Sequence, residues 1–383
     1  MAMTTIWVEE LKLSDFRNYR GLKLDLAPAP VVIVGPNGAG KTNLLEAVSL
    51  LAPGRGLRRV AYPDLANSCG AGGWAVAATV HTSAGKVHIG TGLDAGTASS
   101  ERTGRLVRIN HQPVRGSGAL ADYLEMVWLT PAMDGLFTGP TGDRRRFLDR
   151  LILCFDPSYR TRVSQFERAM RQRNRLLESD ATSATLFDGL ELQMAELGVA
   201  IAAARMEAVR QIEATIDARR HASPGSPFPW ATLAIEGTIE VWLCEMSALD
   251  AEEAYRRALG HGRARDRAAK RTLEGPHRSD LIVGHGPKSM PAKLCSTGEQ
   301  KALLINLVLA HAALVGGRKQ GAVPILLLDE IVAHLDISRR TALFNEIISL
   351  ETQAWLTGTD RQAFEPILSE AQLFNVEDAE IVE

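Results

Sequence analysis

One stretch leaves this chain little freedom in how it folds: Gly35-Pro36-Asn37-Gly38-Ala39-Gly40-Lys41-Thr42, which fits the pattern G-x-x-x-x-G-K-[ST]. An apolar run, Val31–Val34, precedes it, and Lys41–Leu51 reads as a helix stopped by Pro53-Gly54. A glycine-rich turn between a buried strand and a helix points successive backbone N–H groups inward, and the helix N-terminus adds partial positive charge. Residues 35–42 are therefore expected to cradle a nucleotide's phosphates, with ATP and Mg2+ as cofactors. Lys41 should reach the β- and γ-phosphates and Thr42 should ligate the Mg2+.

Far downstream, Ile325-Leu326-Leu327-Leu328-Asp329-Glu330 reads as an apolar strand carrying two carboxylates at its carboxyl end. Ligands bind at that edge of an open α/β sheet. Asp329 is the expected second anchor of the Mg2+ shell, and Glu330 the group that polarises an attacking water. A strand ending in acids is common as plain structure; the phosphate loop upstream selects the functional reading. Ser296-Thr297-Gly298-Glu299-Gln300 opens a helix with the S-x-x-E spacing of a capping box. The same arrangement offers a hydroxyl and several N–H donors to an anion.

The two motifs are separated by a change of texture. At 383 residues the chain is expected to form two units. Strand patterns run over Val8–Leu13, Leu22–Leu26, Trp74–Thr82, Val87–Leu93, Arg105–Ile109 and Met126–Thr130, with residues 96–104 reading as a mobile loop. From Asp143 to about Arg220 the apolar residues recur at helical spacing, among them Leu190, Met194, Leu197, Ile201, Ala208, Ile212 and Ile216. The end of this stretch predicts one helix of about 50 Å at 1.5 Å per residue, with a narrow stripe suited to a hairpin or arm. Ser223–Trp230 breaks it. A strand over Ala231–Leu243 and a helix over Ala251–Lys270 follow. After Gly275 the pattern is α/β again, with a helix over Gly298–Val315, strands at Pro324–Leu328 and Ala354–Thr357, and an acidic tail, Glu377–Glu383, expected to be a solvated end. The expected organisation is an α/β head with a first half at 1–142, an inserted helical arm at 143–272 and the second half of the head at 273–383.

Four scattered cysteines without a CxxC pair exclude a zinc ribbon and suit a reduced, cytoplasmic setting. No uninterrupted apolar run approaches the roughly 18 residues of a membrane span, so no membrane partner is expected. The net charge of −2 means that any nucleic-acid surface must be local. One candidate is residues 144–175, with ten arginines, Arg144, Arg145, Arg146, Arg171, Arg173 and Arg175 among them, against Asp149, Asp156 and Glu167. These residues read either as a solvated helical face with intrahelical ion pairs or as a phosphate-binding surface.

The motif order (phosphate loop, Ser296–Gln300, ILLLDE, then Ala333-His334-Leu335-Asp336) resembles the ATPase head of the ABC family, in its SMC-like branch with an inserted helical arm. A finer resemblance is to the RecF family of bacterial recombination and gap-repair proteins. It is carried by Leu13-Ser14-Asp15-Phe16-Arg17-Asn18-Tyr19, Leu129-Thr130-Pro131, the segments 143–149 and 172–177, Gly275-Pro276-His277-Arg278-Ser279-Asp280, Ser296–Leu303 and Thr357-Gly358-Thr359-Asp360. The resemblance implies a homodimer that closes on ATP, in which Ser296, Gly298, Glu299 and Gln300 contact the nucleotide held by the other subunit and Asp336 crosses between the sites. It places Arg17 or Asn18 near the adenine. It further implies binding to single-stranded and gapped double-stranded DNA, work with RecO and RecR in loading RecA, and support of the SOS response. Thr359-Asp360 stands where transporter members carry a histidine, so slow hydrolysis is expected. A transporter subunit would have that histidine and a short insert. A small-molecule kinase would give Ser296–Gln300 and Asp336 no role.

Overall fold

The computed structural model describes residues 6–97, 104–179, 184–319 and 322–382. The chain forms two compact units, one of residues 1–134, 225–228 and 308–383, the other of residues 135–224 and 229–307. The expected boundaries at 143 and 272 therefore fall inside the second unit, which also takes in the Gly275–Asp280 and Ser296–Gln300 segments. Most of the expected loop at 96–104 lies outside the described residues.

The first unit holds two six-stranded sheets. β1 (Trp7–Phe16), β2 (Tyr19–Asp25), β4 (Trp74–Thr82), β5 (Gly85–Leu93), β6 (Leu106–Ile109) and β7 (Gln112–Pro113) pair antiparallel in the order β2-β1-β4-β5-β6-β7. The second sheet has the order β15-β14-β3-β13-β12-β8. Its parallel strands are β3 (Val31–Val34), β8 (Met126–Leu129), β12 (Ile325–Leu328), β13 (Ala354–Gly358) and β14 (Gln372–Glu377). β3 and β12 are buried on both faces, which is why they read as unbroken apolar runs, and β13 is buried along its whole length although it carries Thr357. Helix α1 (Lys41–Ser49) shares one core with both sheets, through Leu44, Leu45 and Val48 against Leu11, Phe16, Ile33 and Trp355. Fully buried Gln353 ties the sheets together. Its amide accepts from Val8 N at 3.0 Å and donates to Val8 O at 3.0 Å and Ala27 O at 3.2 Å. α9 (Ile337–Ser349) begins just after β12 and is capped by the Asp336 side chain.

The second unit is mostly helical: α2 (Thr141–Leu153), α3 (Tyr159–Glu178), α4 (Ala184–Ala222), α5 (Thr238–Glu245), α6 (Ala248–His261) and α7 (Arg263–Ala269). α4 has 39 residues, or roughly 58 Å, and α3 and α6 pack along it. A small antiparallel sheet, β11 (Met290–Pro291), β10 (Asp280–His285) and β9 (Ala231–Glu236), closes the unit. The expected strand to Leu243 stops at Glu236, because the chain turns at Gly237 into α5. There the buried Glu240 carboxylate accepts from Ser279 Oγ at 2.6 Å, a partner too distant in sequence to be read locally. α8 (Thr297–Arg318) is, among the described residues, the one helix long and apolar enough to cross a membrane, and 78% of its apolar window is buried inside the fold.

The acidic tail corrects an expectation. Its acids Glu377, Asp378 and Glu380 are exposed, but it is not a loose end: β15 (Glu380–Val382) pairs antiparallel with β14, and the turn between them donates Ala379 N–H to Ala39 O of the phosphate loop at 3.0 Å.

Candidate functional site

The phosphate loop joins β3 to α1, and two of its glycines are dictated by sterics. Gly35 has φ +158°, and a Cβ there would lie 2.1 Å from Val376 O. Gly40 has φ +116°, and a Cβ would lie 2.6 Å from Tyr19 Oη and 2.7 Å from Asn18 Nδ2. The loop is gripped from both sides, since Ala39 O accepts from Ala379 N–H and also from Asn18 Nδ2 at 3.3 Å. Asn18 in turn accepts from Asn43 Nδ2 at 2.7 Å. The Arg17 guanidinium is committed to the buried Glu46, at 2.8 and 3.1 Å, and to Asp64 O, so it fastens β1–β2 to α1. Pro36, Asn37 and Gly38 are exposed, while Lys41 is buried at the start of α1. The Tyr19 hydroxyl is buried without a hydrogen-bond partner, and burial pushes its pKa far up.

Strand order brings the acidic strand end to this loop. β13 lies between β3 and β12, so residues from opposite ends of the chain meet at the carboxyl edge of one sheet. Lys41 Nζ donates to Gly35 O at 2.7 Å and Pro36 O at 2.9 Å and stands 3.7 Å from Glu330 Oε1. Thr42 Oγ1 lies 2.9 and 3.1 Å from the two carboxylate oxygens of Asp329. Hydroxyl and carboxylate oxygens are a hard donor set. Among the described residues no cluster of three or more His, Cys, Asp or Glu could hold a metal. That donor set fits Mg2+, which takes few protein ligands and completes its shell with phosphate oxygens and water.

One residue of this constellation was given no role in the site by the sequence reading, which met it only in the segment Thr357–Asp360. Thr357, on β13 and fully buried, donates Oγ1–H to Asp329 Oδ1 at 2.7 Å and accepts Glu330 N–H at 2.9 Å. Beyond the same strand, Asp360 accepts from Gln362 N at 2.8 Å and caps a short helix. Thr359 lines a 540 Å3 cavity with Gly35, Pro36 and Arg361.

Ser296 begins α8 in the second unit and forms the expected capping box. Its N–H and Oγ donate to Glu299 Oε2 at 3.1 and 2.9 Å, and Ser296 Oγ accepts from Glu299 N at 3.4 Å. Lys288 Nζ lies 2.5 Å from Glu299 Oε1; with the Ser296 bonds it pulls the carboxyl pKa down to about 2. Gln300 is buried and donates to Cys295 O. Ser296 is exposed, as is Asp336 at the start of α9 in the first unit.

The arginine cluster divides. Arg173 is fully buried, bonded to Glu191, Asp266, Thr272 and Leu259 O, so the expectation that it meets DNA is corrected: it is an internal cross-link of α3, α4 and α7. Arg144 is likewise turned inward, its guanidinium gripping both oxygens of Asp280 at 2.8 Å. Arg145 donates to Ser279 O at 2.6 Å. Arg146, Arg168, Arg171 and Arg175 are exposed, Arg146 paired with Asp143 and Arg171 3.5 Å from Glu167.

Fold and site together define a P-loop ATPase head of the ABC type with an inserted helical unit. The model of the RecF/RecN/SMC N-terminal domain matches residues 7–381. A DNA replication and repair protein RecF of Mesorhizobium japonicum is 54% identical over 370 residues, 97% of this chain and 96% of that one. Its counterpart in Rhizobium leguminosarum bv. trifolii is 51% identical over 376 residues, 98% of each. Among solved structures, the recombination mediator protein RecF with ATP has TM-score 0.83 at 21% identity, covering 100% of this chain and 98% of that one. An Smc head domain of Pyrococcus furiosus bound to the C-terminal domain of ScpA has TM-score 0.55 at 15% identity over 98% of this chain and 96% of that one. The chain belongs to the RecF family, DNA replication and repair proteins within the SMC-like ATPases.

Proposed function

We propose that this protein is an ATP-driven DNA clamp of recombinational repair, which dimerises on ATP at single-stranded and gapped DNA and releases by slow hydrolysis. The observation that carries the reading is the meeting of Lys41 with Glu330 and of Thr42 with Asp329 at one sheet edge. Lys41 is placed to leave its loop carbonyls for the terminal phosphates, with Pro36, Asn37, Gly38 and Gly40 offering the cradle. Thr42 and Asp329 would hold Mg2+, which when bound neutralises charge on the phosphates. Glu330 would orient the attacking water. Ser296, Gly298, Glu299, Gln300 and Asp336 would meet the nucleotide of the second subunit.

The recombination mediator protein RecF whose fold this chain shares belongs to the RecFOR pathway. By that likeness this protein would act in the cytoplasm with RecO and RecR, favour RecA loading at gaps and support the SOS response. The helical second unit would be its arm. Sizing the purified protein with and without ATP tests the core of the reading. Wild type should shift to a dimer with ATP, and both Lys41→Met and Ser296→Arg should abolish the shift. Dimers indifferent to ATP and to both substitutions would overturn it.

A further inference from the structure

We infer that Thr357 is a positioning residue for ATP hydrolysis, a single hydroxyl that sets the geometry of both acids at the end of β12. The inference rests on the ATPase reading and deepens it.

The need for such a group follows from where the sheet stops. β12 pairs with β13 up to Leu328↔Leu356 and with β8 up to Leu328↔Leu129, and Asp329 N–H still reaches Leu129 O at 2.9 Å. Glu330 N–H is the first amide beyond the ladder. The backbone there adopts φ +48°, a left-handed conformation that costs a non-glycine residue roughly 1–2 kcal/mol. Something must hold the turn. The Thr357 hydroxyl does so by accepting Glu330 N–H at 2.9 Å, and its own proton goes to Asp329 Oδ1 at 2.7 Å.

A threonine in a strand has no need to reach outward; an apolar residue would fill this fully buried position on β13 as well as its neighbours Trp355 and Leu356 do. Here the hydroxyl uses its donor and acceptor capacity on two consecutive residues of the adjacent strand. Asp329 receives hydroxyl protons from Thr42 on one side and Thr357 on the other, so its carboxylate has little rotational freedom. Glu330 is fixed at its amide, which aims its side chain toward Lys41 Nζ, 3.7 Å away. Thr357 is fully buried and its hydroxyl is spent on Asp329 and Glu330, so it acts through these neighbours.

Thr357→Val removes both bonds at nearly constant volume. It should lower kcat by roughly ten- to hundredfold, the loss expected for hydrogen bonds that serve a charged group. KM for ATP and the affinity for a fluorescent ATP analogue should change little. In nucleotide-free protein, hydrogen exchange at the Glu330 amide should quicken, a readout independent of turnover. Thr357→Ser keeps the hydroxyl and should hold kcat within about threefold of wild type, well under the worth of one such bond. Equal kcat in wild type and Thr357→Val would overturn the inference, as would a Thr357→Ser rate as low as that of a hydroxyl-free variant. Should Thr357→Val fail to fold, the serine variant and Thr357→Ala decide by the same criteria. Failure of the underlying reading looks different: wild type itself would then hydrolyse ATP no faster than Lys41→Met.

Discussion

At the scale of single residues, a motif gives a residue's identity but not its direction. Lys41, Thr42, Asp329 and Glu330 were legible because their chemistry is written into two short patterns. Thr357 was not, since only the strand order places it between them. Arg173 shows the opposite failure. It sits in an arginine-rich segment that reads as a surface, yet its partners Glu191 and Asp266 come from two other helices and take it fully inside. A buried charge that loses its partner is strongly destabilising. Arg173→Ala should therefore cost about 3–5 kcal/mol in denaturant unfolding, whereas the exposed Arg175→Ala should change stability by less than about 0.5 kcal/mol. A mild effect of Arg173→Ala on the unfolding midpoint would show that the network contributes little.

Among elements, the C-terminal hairpin was the least legible. Two-residue hairpin turns normally announce themselves by Asn-Gly or Asp-Gly, because both central residues need positive φ. Here Asp378 and Ala379 adopt φ +46° and +66°, so an alanine occupies a position where glycine is expected. The long α4 and the buried strands around the phosphate loop, by contrast, follow directly from apolar periodicity. The hairpin has a consequence for the site, because its turn holds Ala39 O and its strand passes against Gly35. Ending the chain after Glu377 should weaken ATP binding by roughly two- to tenfold, the loss of about one hydrogen bond to the loop. Ala379→Gly should instead raise the melting temperature while leaving ATP affinity intact. Nucleotide titration of both variants checks this, and full ATP affinity in the truncated chain would rule out a bracing role.

For the whole molecule, the phosphate-loop and strand-end residues Lys41, Thr42, Asp329 and Glu330 belong to one compact unit and the exposed arginines to the other, so DNA affinity and basal ATP turnover are expected to be separable by mutation. The net charge of −2 gives no general attraction to a polyanion, and binding must come from a local face. α3 supplies one. Arg168, Arg171 and Arg175 are exposed at helical spacing, while Arg173 on the same helix points inward. Arg171 makes a surface pair with Glu167, both more than half exposed, a contact too weak to keep it from a phosphate. Each phosphate neutralised by a side chain contributes about 0.9 to the slope of log affinity against log salt on duplex DNA. Replacing the three arginines by glutamate should therefore weaken binding to a gapped duplex and reduce that slope by about 3. ATP hydrolysis measured without DNA should stay at the wild-type rate. Lys41→Met should behave in the converse way, losing ATP-dependent retention on DNA while keeping the salt slope of nucleotide-free binding. An unchanged slope in the triple variant would move the DNA contact off α3. A parallel fall in DNA-free hydrolysis would mean that the two units do not act separately.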